Sequence, residues 1–192
     1  PLSQRASLAN KHSHEGSLPR GARANSHSPQ TGSPVKDMTA REQLVDLLRR
    51  RSFEKRRVIL ASGKESDFFI DCKQAILTAE GHALTGALMF EALDLLPECD
   101  AVAGVELGGC PLASAVSLTS FVRGRPLDAL YVRKEAKDHG TKKLVEGDKS
   151  ISPGTRVALL EDVVTTGGSS LKAVEKLRAA GATVVGIVAL VD

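Results

Sequence analysis

The segment Glu161-Asp162-Val163-Val164-Thr165-Thr166-Gly167-Gly168-Ser169-Ser170 gathers residue types that hold a phosphate and a polyol. Two carboxylates come first, then a run of small and hydroxyl side chains. Where such a run opens a helix, backbone N–H groups and hydroxyls make an anion site, and glycines let a phosphate approach closely. The two acids beside it suit sugar hydroxyls or a water-bridged Mg²⁺. The spacing departs from G-x-G-x-x-G and from G-x-x-x-x-G-K-[ST], so neither a dinucleotide crevice nor a P-loop is supported. A strand with an acidic tip and a capped helix would explain the glycines and hydroxyls alone. The adjacent acid pair turns the reading toward function.

Two other segments carry charge or backbone freedom. Arg133-Lys134-Glu135-Ala136-Lys137-Asp138-His139-Gly140, continuing to Gly147, has charges of both signs and no core pattern, which suggests a flap rather than a helix. Its cations suit a polyphosphate, although a charge run taken alone is as well explained by a solvated face. Gly104-Val105-Glu106-Leu107-Gly108-Gly109-Cys110-Pro111 offers glycines that permit positive φ, and a tight turn is the simpler account of them. The three cysteines, Cys72, Cys99 and Cys110, have no metal-ligand spacing and read as inert buried thiols in a reduced, cytoplasmic protein.

The elements that must position these segments begin at residue 39. Thr39-Ala40-Arg41-Glu42 fits a capping box, and Leu44, Leu47 and Leu48 follow at helical spacing. Val58-Ile59-Leu60 and Phe68-Phe69-Ile70 are strand-like runs around a turn at Ser62-Gly63. A helix is predicted from Thr78 to Leu96, ended by Pro97. Strands are predicted at 101–105, 127–132, 156–160 and 183–191, with helices at 111–122 and 171–180 between them. Near-continuous apolar strands alternating with helices imply a doubly wound, mainly parallel α/β sheet covered on both faces. Ligands in such folds sit beyond the carboxyl ends of the strands, where the three segments lie.

Composition narrows the function further. The chain has 192 residues and a net charge of +3. Residues 1–37 hold five basic groups (Arg5, Lys11, Arg20, Arg23, Lys36) and two acidic ones (Glu15, Asp37), which accounts for the whole surplus. The rest is neutral overall, so nothing points to nucleic acid. No apolar run is long enough for a membrane span. Residues 1–37, rich in Ser, Pro, Gly, Asn and His, are expected to be disordered, a tail or a non-native upstream stretch. Met38 is expected to be the native start of a domain over 38–192.

Together, residues 157–169 resemble the signature with which type I phosphoribosyltransferases hold 5-phosphoribosyl 1-diphosphate. Residues 133–140 resemble the flap of orotate phosphoribosyltransferases. Leu60-Ala61-Ser62-Gly63-Lys64 and Asp67-Phe68-Phe69-Ile70-Asp71 are similar to that family's N-terminal substrate segment. The resemblance covers about residues 39–192. It implies the type I phosphoribosyltransferase fold and transfer of ribose 5-phosphate to orotate in pyrimidine (UMP) biosynthesis, giving orotidine 5′-phosphate and diphosphate.

By the same resemblance, Glu161 and Asp162 would hold the ribose hydroxyls, with Glu161 replacing the more usual Asp. Val163, Val164, Thr165, Thr166, Gly167, Gly168 and Ser169 would cradle the 5-phosphate, Thr165 also lying near orotate. Arg133, Lys134, Lys137 and His139 would close over the diphosphate, partly across a homodimer interface. Phe69 and Ile70 would line the pyrimidine pocket. Lys137, His139 and Asp162 would be the catalytic groups, and Mg²⁺ would be held mainly by the diphosphate, with no direct protein ligand.

Two departures are visible. Some members carry Lys at the positions of Ala61 and Gly108, and the family continues past the last strand to an orotate-contacting Arg, so a C-terminal loss is expected at Asp192. The alternatives are a transferase for another base and a non-catalytic regulator that binds the same donor.

Overall fold

The computed structural model describes residues 38–59, 63, 65–135 and 143–192. Helix α1 (Ala40–Arg51) begins as its capping box demands, the Thr39 amide donating to Glu42 Oε2 at 2.9 Å and the Glu42 amide to Thr39 Oγ1 at 3.3 Å. In the segment that follows, the two strand-like runs do not pair with each other. Strand β1 (Phe53–Glu54) pairs with β4 (Phe69–Ile70), while β2 (Val58–Ile59) pairs with β3 (Glu65–Ser66), both antiparallel. Phe53, immediately after α1, offers Phe68 a stacking partner with centroids 5.9 Å apart. That aromatic contact favours the longer-range pairing.

Helices α2 (Lys73–Ile76) and α3 (Ala79–Ala92) come next, α3 tightening into a 3₁₀ turn at Leu93–Leu95 before Pro97. The remaining chain is β5 (Ala101–Val105), α4 (Gly109–Val122), β6 (Asp128–Val132), β7 (Val145–Glu146), β8 (Arg156–Val163), α5 (Gly168–Ala179) and β9 (Thr183–Val191). Five strands form one sheet in the order β7-β6-β5-β8-β9, parallel except for β7. Strand β7 was not legible in the charged stretch. A single buried residue, Val145, anchors it to Val132 at the sheet edge.

Strand parity divides the core. Val102, Ala158 and Leu160 face α3 and α4, packing with Met89, Phe90, Leu112 and Val116. Ala101, Ala103, Val105, Val157 and Leu159 face the other way, against Ala173, Val174 and Leu177 of α5. Helices therefore cover both faces, as expected from the unbroken apolar strands. The chain leaves β5 toward β6 on one side and returns to β8 on the other. The order reverses between β5 and β8, and a crevice opens at their carboxyl ends.

Candidate active site

Both acids lie inside β8, which runs to Val163 rather than stopping at Leu160. Successive residues on a strand start toward opposite faces, so Glu161 and Asp162 lean apart, although their carboxyl groups still interact side chain to side chain. Glu161 continues the Val157–Leu159 row toward α5 and is buried, accepting a hydrogen bond from Ser170 Oγ at 3.1 Å. Asp162 follows the Ala158–Leu160 row and stays half-buried against the loop after β5, where its carboxylate lies beside Gly108. A Cβ at Gly108 would overlap the carboxylate, with Oδ1 at 2.7 Å, so a side chain there would require Asp162 to move. Gly108 has φ of −69°, so its role is close approach and not positive φ as the turn reading implied.

Burial, with Asp162 next in the chain adding to it and Ser170 opposing, pushes the Glu161 carboxyl up to about 7. The native state thus keeps a proton that the unfolded chain releases between its ordinary value near 4.5 and pH 7. Stability from this group is fully present below pH 4.5 and is lost as pH rises through 7. Glu161→Gln is expected to flatten that decline, gaining melting temperature at pH 8 relative to the unsubstituted chain but not at pH 4.5. Thermal melts across this range check it, and parallel curves would refute it.

After β8 the chain turns through Thr165 and Thr166, both exposed, to Gly167, whose φ of +73° starts α5. Glycine is needed there because a left-handed residue redirects the strand into the helix. The first intrahelical bond runs from the Leu171 amide to the Gly167 carbonyl at 2.9 Å, so the Gly168, Ser169 and Ser170 amides precede the ladder. No acid sits in that first turn, and Gly168 and Ser169 are exposed. The positive end of the helix is open to an anion.

Facing it across a cleft of about 340 Å³ are Arg133 and Lys134, with Ser169, Lys172 and Lys176 on the α5 side. Arg133 reaches Glu146 at 3.4 Å, while its Nε is buried and has no acceptor among the described residues. Burial raises the Cys72 thiol to about 12, reinforced by Asp162 and Asp71, in keeping with an inert thiol. Lys73, paired with Asp71, also feels the Asp162 charge.

The structure therefore brings Asp162, the 165–169 turn, Arg133 and Lys134 to one end of the sheet. Glu161 joins them from beneath the helix, not as a twin of Asp162. Val163 and Val164 continue the sheet, the Val164 amide donating to Val191 O at 2.9 Å. Ile70 packs against the α2–α4 core, and Phe69 lies under the Arg56 guanidinium, 4.6 Å from the ring centroid. Lys137 and His139 lie outside the described residues. Sequence reasoning gave no role to Glu106, Lys73 or Lys176, which resemble any charged residue of a solvated loop or helix.

A mainly parallel sheet with an acid at its switch point, an anion-ready helix start and facing cations has the layout of an α/β protein that handles a phosphorylated sugar. The phosphoribosyl transferase domain model matches residues 86–192. The orotate phosphoribosyltransferase of Sorangium cellulosum is 78% identical over 152 residues, 79% of each chain, and that of Bradyrhizobium sp. is 43% identical over 156 residues, 80% of this chain and 83% of its own. Among solved structures, Mycobacterium tuberculosis orotate phosphoribosyltransferase in complex with Fe(III) dicitrate superposes with a TM-score of 0.67 at 39% identity, covering 80% of this chain and 85% of that one. The Aeropyrum pernix orotate phosphoribosyltransferase does so with 0.62 at 33%, covering 78% and 81%. The chain belongs to the orotate phosphoribosyltransferase family of phosphoribosyltransferases.

Proposed function

We infer that the chain transfers ribose 5-phosphate from 5-phosphoribosyl 1-diphosphate to orotate, yielding orotidine 5′-phosphate and diphosphate for pyrimidine biosynthesis. The observation that carries it is that β8 ends in Glu161, bonded to Ser170 in the open first turn of α5, and Asp162, turned toward Gly108 at the sheet's switch point, in a chain 78% identical to an orotate phosphoribosyltransferase. In the reaction the donor's C1–O bond to diphosphate breaks and a bond from C1 to the pyrimidine nitrogen forms. Positive charge builds on the ribose while negative charge leaves with diphosphate.

Each element has a part in that charge movement. Thr165 to Ser169 hold the 5-phosphate on backbone amides and hydroxyls, fixing one end of the donor. Asp162 accepts from the ribose hydroxyls and stabilises the developing positive charge. Arg133 and Lys134, with Lys137 and His139 of the same segment, neutralise the departing diphosphate, His139 being suited to protonate it. Glu161 supports the ribose side from beneath α5, and Phe69 and Ile70 belong to the pyrimidine side.

Among the described residues no group of three His, Cys, Asp or Glu side chains could hold a metal ion. Asp162, half-buried at the end of β8, could hold through water a Mg²⁺ carried mainly by the diphosphate. When bound, the ion offsets diphosphate charge and so eases its departure. A homodimer sharing its sites and a cytoplasmic location complete the proposal. No described helix is long and apolar enough to cross a membrane.

The test is to incubate the chain with the donor, Mg²⁺ and each candidate base, following the absorbance of orotate. Consumption of orotate with release of one diphosphate per base is expected. Turnover of a purine or uracil instead would assign another base, and tight donor binding without any transfer would favour a regulator.

A further inference from the structure

The ladder between β5 and β6 ends at Val132, where the Glu106 amide donates to the Val132 carbonyl at 2.9 Å. The next two residues, Arg133 and Lys134, leave the sheet, yet their backbone is held on three sides. The Arg133 amide donates to Leu144 O at 2.9 Å. The Lys134 amide donates to Glu106 Oε1 at 2.6 Å. The Lys176 ammonium donates to both the Arg133 and the Lys134 carbonyls, each at 2.8 Å. A lysine on a surface helix ordinarily keeps its charge in water, and this one is half-buried with two of its three donors on carbonyl oxygens.

Placement on the helix gives the contact its meaning. Ser169, Lys172, Ala173 and Lys176 recur at helical spacing along the side of α5 that lines the cleft. The helix whose first turn is open to a phosphate therefore also grips, two turns later, the backbone that carries the two cations across the cleft. We propose that Lys176 is a positioning residue, which with Glu106 fixes Arg133 and Lys134 at a set distance from the α5 phosphate cradle so that both ends of the phosphoribosyl donor are met at once. This rests on the donor reading above. The Lys176 ammonium is committed to the Arg133 and Lys134 carbonyls and acts through those peptide groups. Charge-assisted bonds from an ammonium to two carbonyls are strong enough to define that backbone, and the neutral analogue has nothing to donate.

Lys176→Met keeps the aliphatic stem and removes the donors, while Lys176→Arg restores two N–H groups to the same carbonyls. Donor affinity, measured by calorimetric titration of 5-phosphoribosyl 1-diphosphate with Mg²⁺, is expected to fall about tenfold in Lys176→Met and to recover most of that loss in Lys176→Arg. The KM for orotate and the melting temperature should stay near those of the unsubstituted chain in both variants. Unchanged donor affinity in Lys176→Met would overturn the proposal. So would a loss that Arg does not restore, or one that tracks a fall in melting temperature. If the unsubstituted chain transfers nothing to orotate while donor affinity follows this pattern, the orotate reading fails and the positioning role stands.

Discussion

Gly104→Ala is expected to lower the melting temperature by roughly 6–12 °C, the shift that about 3 kcal/mol of overpacking produces in a domain of this size. Gly104 lies in the central strand β5, with the amino end of α4 pressed on it. A Cβ there would overlap the Gly109 carbonyl and come 2.8 Å from the Cys110 nitrogen. Those are backbone atoms, fixed by the sheet on one side and by the first turn of α4 on the other, so no rotamer change relieves the clash. Gly109 mirrors the constraint, since its own Cβ would stand 2.8 Å from Leu160 O. Gly186→Ala provides the contrast: the atom met is Leu96 Cδ2 at 2.6 Å, the end of a half-buried side chain able to move. Its effect should be much smaller. Melts of the two variants side by side check the prediction, and equal losses would show that α4 can lift from β5 without cost.

That pair of glycines illustrates where the sequence was legible and where it was not. The alternation of apolar strands with helices requires a sheet covered on both faces, and each of the four long strands lies where an apolar run stood. Thr39 and Glu42 announce α1 because both halves of the capping box are local in the chain. Gly104, Gly108 and Gly109 suggested conformational freedom, whereas none of them has positive φ and each is closely approached in the packed molecule: Gly104 by the backbone of Gly109 and Cys110, Gly109 by Leu160 O, and Gly108 by the Asp162 carboxylate. Close approach is a property of the packed molecule, and a single glycine carries no sign of it. Strand β7 is too short to have a period, and the pairing of β1 with β4 depends on which aromatic surface meets which.

The candidate site divides in the same way. The acid pair and the 165–169 turn are contiguous, so their types and order already suggested an anion beside hydroxyl-binding carboxylates. What the string Glu161-Asp162 conceals is parity. The two-residue pleat sends one carboxylate under α5 to Ser170 and the other toward Gly108. Lys176 is hidden for a different reason. In sequence it is one cation among several on an amphipathic helix, and its two carbonyl partners lie more than 40 residues away.

Parity also ranks the two acids, and Asp162→Asn is expected to lower kcat by roughly 10²–10³-fold, the scale of losing one preorganised charge contact in a transition state. The substitution keeps the shape of the side chain, so it should fit against Gly108 and leave the melting temperature nearly unchanged. On the proposed assignment it removes the negative charge facing the ribose as that becomes positive, and such a charge matters more in the transition state than in the bound donor. Donor affinity should therefore fall far less than kcat, by about tenfold at most. Glu161→Gln should behave differently, because that carboxyl is buried and pushed up to about 7, so near neutral pH it already spends much of its time uncharged. Its kcat should fall by no more than about tenfold, on the scale of one neutral hydrogen bond. Steady-state kinetics of both variants at pH 6.5, where Glu161 is mostly protonated, with donor affinity measured separately, decide the order. If Glu161→Gln loses the greater rate while Asp162→Asn turns over normally, the reacting ribose faces α5 and the assignment of Asp162 falls.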